Sequence, residues 1–163
     1  MRKIIYFVAL LSLFSLLGCE NTPSPIPIIE MDLRFNLFDE SGNDLLDPDF
    51  EEGINAHRIR IFYMVDGKAR EYYNVMSGAP KGYVIYEPDL TQNHYTLNLF
   101  LDRNIDDGKS TTIIRWNDFD SDTIMAQVDK RENDYVVATK FWINGNENID
   151  WIDEGQRICK LVK

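Results

Sequence analysis

Beyond residue 30, apolar residues recur at every second position along most of this chain, and a period of two commits it to strands. Met31, Leu33, Phe35 and Leu37 share one face of an extended segment, and Ile59, Ile61 and Tyr63 share one face of the next. Tyr95, Leu97, Leu99 and Leu101 give the cleanest run. The β-branched stretch 111–116 follows, then Ile124, Ala126 and Val128, then Tyr135, Val137, Thr139, Phe141 and Ile143. Segments 149–152 and 158–162 close the series. Asp66-Gly67 and Asn144-Gly145 mark tight hairpins. Residues 47–54, bounded by Pro48 and Gly53, have room for one helical turn. Eight to ten short strands with turn chemistry between them predict an all-β, antiparallel sandwich over residues 30–163.

The N-terminus is of a different kind. Arg2 and Lys3 precede an apolar run of 14 residues from Ile4 to Leu17, too short for the roughly 20 that span a bilayer. A positive start, a short apolar segment and a small residue make a cleaved secretory signal over residues 1–18. Leu16-Leu17-Gly18-Cys19 resembles a lipobox, which implies acyl chains on Cys19 and a membrane as the first partner. Residues 19–29, with Pro23, Pro25 and Pro27, read as a stiff extended tether. Removal of the signal leaves Cys159 without a partner thiol, so the domain is held by its apolar core. Cys159 alternates with Leu161 in a strand-like segment and reads as a small buried hydrophobe.

Charge narrows the partners. The chain carries a formal charge of −10, and loss of Arg2 and Lys3 with the signal brings it to −12. Nucleic acid and anionic headgroups bind through basic patches, so both are disfavoured.

The lipobox, the proline tether, the stretch 38–46, Ser121-Asp122-Thr123-Ile124 and Trp142-Ile143-Asn144-Gly145 together resemble small lipoproteins of Bacteroides-type bacteria. That resemblance implies an immunoglobulin-like sandwich, placed at the outer membrane or cell surface. It carries no catalytic residue over to this chain.

Three acidic clusters invite a cation. In an extended chain Asp118, Asp120 and Asp122 project to one side. Asp102 to Gly108 echoes a calcium loop but has Asp107 where the sharp-turn glycine belongs and Ile113 where the bidentate Glu belongs. Asp39, Glu40, Asn43 and Asp44 surround Gly42 as a tight turn requires. His57 and His94, the two histidines, lack metal-ligand spacing. No nucleophile elbow or Cys/His pairing is visible, and no cofactor is implied. The expectation is therefore a non-enzymatic binding or assembly module. The first alternative is a glycan binder using exposed aromatics, with Trp142, Trp151 and Tyr73 as the candidates. The second is an enzyme working through paired carboxylates or a bound cation.

Overall fold

A computed structural model describes residues 28–131 and 135–163; the signal segment, Cys19 and nearly all of the tether lie outside the described residues. Within them the protein is all-β, with no α-helix and a single 3-10 turn at Ala56–Arg58. The strands are β1 Ile29–Glu30, β2 Asp32–Phe38, β3 Arg60–Val65, β4 Lys68–Glu71, β5 Tyr83–Tyr86 and β6 Thr96–Phe100. They continue as β7 Ile105–Asp106, β8 Lys109–Arg115, β9 Ser121–Arg131, β10 Tyr135–Ile143, β11 Trp151–Asp153 and β12 Ile158–Val162. A seven-stranded sheet runs β1-β10-β9-β8-β3-β4, with β7 paired to β8, and a five-stranded sheet runs β11-β12-β2-β6-β5.

Both sheets are mixed, which corrects the purely antiparallel expectation. β1 pairs parallel to β10, and β12 pairs parallel to β2. The cause is one crossing of the chain: Ile29 and Glu30 belong to the first sheet, Asp32 onward to the second, and Met31 turns between them. Residues 28 and 29, expected to be part of a tether, are instead held to the sheet, because Val136 N–H donates to the Ile28 carbonyl at 2.9 Å and Ile29 pairs with β10.

The alternating residues meet between the sheets. Leu33, Phe35, Leu37, Leu97, Leu99 and Cys159 face Ile61, Ile114, Ile124, Ala126 and Phe141 in one core. Trp116, fully buried, stands edge-on to Phe35 across that core at 6.1 Å. A buried indole needs an acceptor. Its Nε1–H donates to Asp122 at 2.6 Å, and Asp122 also accepts from Asn144 Nδ2 at 2.6 Å and faces Lys163 Nζ at 2.5 Å.

Both hairpin signals hold: Asp66 and Gly67 have φ of 52° and 71°, Asn144 and Gly145 of 52° and 79°. Residues 47–54 form two successive turns, closed by Phe50 N–H on Asp47 and Gly53 N–H on Phe50, rather than a helical turn. The one helical turn lies just after, where the Asn55 side chain caps His57 N–H at 2.9 Å.

Candidate binding cleft

A cavity of about 740 Å³ opens where the edges of the two sheets approach under the segment 72–82. β3 contributes Tyr63 from its core-facing side. The chain leaving β4 contributes Tyr72 and Asn74, β5 contributes Tyr86, and the crossover from β6 to β7 contributes Arg103 and Asn104.

Its walls are fixed by bonds across the sandwich. Tyr63 Oη–H donates to the Phe100 carbonyl at 2.8 Å, tying the first sheet to the second. Burial is the main cause that pushes this phenol well above its ordinary range, so Tyr63 stays neutral. The Tyr63 and Tyr72 rings lie tilted with centroids 4.6 Å apart. Gly82 permits that approach: its φ is +82°, and a Cβ there would come within 3.1 Å of the Tyr72 ring. Asp102, 1% exposed, forms part of the wall but is spent on the fold. It accepts Met64 N–H at 2.7 Å and Asn104 N–H at 2.9 Å, while Ser110 Oγ–H donates to its carbonyl at 2.6 Å.

Several groups remain for a ligand. Asn104 donates Nδ2–H to the Met64 carbonyl at 3.2 Å, which leaves its Oδ1 open. Asn74 accepts Met76 N–H at 3.0 Å, which leaves its NH₂ open. Arg103 makes no ion pair among the described residues. Tyrosine faces beside an amide oxygen, an amide NH₂ and a guanidinium suit a small polar ligand with one apolar side.

The three aromatics expected from sequence do not converge. Trp142 lies half-buried on the outer face of the first sheet, with Lys140 Nζ at 5.0 Å and Lys109 Nζ at 5.8 Å from its ring centroid. Ammonium groups therefore already occupy the ring that was offered for stacking. Trp151 faces inward from β11, edge-on to Phe141 at 6.0 Å, and closes the core. Tyr73 is 68% exposed and borders a separate hollow of about 170 Å³ with His57 and Lys81. The adjacency of Tyr72 and Tyr73 was the usable signal, since one goes into the cleft and the other out.

The aspartates separate as well. Residues 117–120 form a turn in which Asn117 Oδ1 accepts Phe119 and Asp120 N–H, so strand alternation does not apply there. Asp118 pairs with Arg58, and Asp120 meets Lys163 Nζ at 3.0 Å. Cations of the chain itself thus answer these carboxylates, and among the described residues no three metal-ligating side chains converge. At the calcium-like stretch Asp102 turns inward, and Asp107 and Gly108, with φ of 45° and 72°, make the β7–β8 hairpin. Asp39 accepts Asn43 N–H at 2.8 Å and Nδ2–H at 2.7 Å, bonds that hold its carboxyl below the usual range. His94 Nδ1 lies 3.6 Å from Asp44, and His57 sits in the 3-10 turn. Burial pushes the Cys159 thiol up to about 12, which removes its nucleophilicity at neutral pH.

No protein-family profile, curated protein or solved structure matches the chain.

Proposed function

We propose that this chain is an exported lipoprotein held at the bacterial envelope, at the outer membrane, by acyl chains on Cys19. Its β-domain acts there as a non-enzymatic binding module, with the cleft of Tyr63, Tyr72 and Tyr86 as its ligand site. The cleft carries the reading: 740 Å³ of open space is lined by aromatic rings and unspent amides. The Leu16–Cys19 pattern supports the anchor, and Pro23, Pro25 and Pro27 support the stalk.

Within that reading, tyrosine faces beside Asn74 and Asn104 favour a glycan over a purely apolar ligand, because sugars offer an apolar face rimmed by hydroxyls. An immunoglobulin-like sandwich is the proposed fold type, supported by the core tryptophan packed against the facing sheet. Its departure is the parallel pairing of β1 with β10 and of β12 with β2.

Two experiments test the proposal. Radiolabelled palmitate should enter the wild-type chain in a lipoprotein-processing bacterium and be absent from Cys19→Ser. On a glycan array, any ligand bound should be weakened roughly fivefold by Tyr72→Ala or Tyr86→Ala, the loss of about 1 kcal/mol of aromatic contact. Binding indifferent to both substitutions removes the cleft from the proposal.

A further inference from the structure

We infer that β5 pairs with β5 of a second copy of this chain, joining two five-stranded sheets into one across a two-fold axis. β5 is the terminal strand of its sheet and reads Tyr83-Val84-Ile85-Tyr86, with no charge to blunt its edge. The phase of its hydrogen bonds is set by Phe100 N–H, which donates to the Gly82 carbonyl at 2.9 Å. Bonded and non-bonded pairs alternate in an antiparallel ladder. Val84/Asn98 and Tyr86/Thr96 are then the bonded pairs facing β6, given the register of the two strands. The N–H and C=O of Tyr83 and Ile85 therefore point to the open edge, and among the described residues no hydrogen bond reaches them there.

One antiparallel register matches open residues wholly with open residues: Tyr83 against the partner's Ile85, centred on Val84. The flanking sequence fits it. In Lys81-Gly82-Tyr83-Val84-Ile85-Tyr86-Glu87 the same centre sets Lys81 opposite the partner's Glu87 at both ends. Within one chain Lys81 Nζ reaches only the His57 carbonyl at 3.2 Å. Neither Lys81 nor Glu87 makes an ion pair among the described residues, so both charges are free for the partner. Gly82 falls opposite the partner's Tyr86, an aromatic covering an edge glycine. Since Gly82 lines the cleft, each copy supplies a ring to the rim of the other's cavity. The pairing stands on the edge geometry and does not depend on what the cleft binds.

Sedimentation velocity of the full chain in neutral detergent should show a concentration-dependent dimer. Lys81→Glu and Glu87→Lys should each weaken it by about tenfold, because two cross-strand ion pairs become two like-charge contacts. The double swap should restore it. In a Cys19→Ser background, Val84→Cys should give a disulfide-linked dimer on mild oxidation. The centre is a non-hydrogen-bonded pair with Cα atoms about 4.5 Å apart, within the reach of a disulfide. A chain that stays monomeric at roughly 100 μM (a weak-dimer threshold) and gives no such cross-link overturns the inference. A dimer unmoved by either single reversal also overturns it.

Discussion

The two edge strands that flank the segment 72–82 over the cleft end their sheets in opposite ways. β4, Lys68-Ala69-Arg70-Glu71, is exposed throughout and charged at three of its four positions. β5 has no charged residue, and three of its four positions are half-buried. Charged side chains along an edge make another strand's approach costly, whereas an uncharged edge leaves its peptide groups available. One of these edges is therefore sealed and the other is left open, although both hang from the same core. The contrast locates the molecule's capacity for association on one side of one cavity.

The most severe way to break that contrast is to remove what both edges share. Trp116→Ala should cost about 3–5 kcal/mol, since it empties a fully buried site and removes one of the donors to Asp122. Urea unfolding should show a single transition; separate unfolding of the two sheets would mean the edges do not share one core. Asp102→Ala should cost about 2 kcal/mol by orphaning two N–H groups. Hydrogen exchange should then quicken at Met64, on the sealed side, and leave the Val84 and Tyr86 amides, which face β6, protected. Protection lost equally on both sides would dissolve the distinction.

Alkaline pH offers a smaller lever on the open sheet, where β12 carries Cys159. Folded, its thiol keeps its proton to about 12, against an ordinary value of 9.0. The folded state thus binds more protons above pH 9, so stability is full below that point and falls as pH rises toward 12. Cys159→Val should flatten part of that fall, measured as melting temperature against pH. Tyr63 and Tyr83, both raised by burial, act with the same sign. The smallest effect on stability should come from Val84→Lys, within about 0.5 kcal/mol for a partly exposed site. It nevertheless converts the open edge into a charged one, and the dimer seen by sedimentation should disappear.

The strands were legible because each needs only its own alternation. β2, β6 and β9 follow the apolar parity of the sequence, and both hairpins follow Asp-Gly and Asn-Gly. Parity also contained a missed answer. Asp122 lies two residues before Ile124, so the alternation that buries Ile124 buries Asp122, which reads as a surface ligand only when grouped with Asp118 and Asp120. The parallel pairings were not legible, because β12 and β2 are joined by contacts over more than a hundred residues that leave no local period. The cleft was hidden for the same reason. Tyr63, the pair Tyr72 and Asn74, Tyr86 and Asn104 come from four separate segments, and no spacing in the chain joins them all.

Met31, where the chain changes sheets, has a mechanical consequence. Its carbonyl accepts Leu101 N–H at 2.9 Å, and its side chain lines the cleft. Among the described residues, the pairing of β1 with β10, the Val136–Ile28 bond and the two Arg157 contacts to Glu30 hold the chain N-terminal to Met31. A pull from that end loads β1 in shear along its strand axis, then arrives at the wall of the cavity. In the proposed tethered protein, tension on residues 19–27 and the shape of the cleft are in this way connected through Met31.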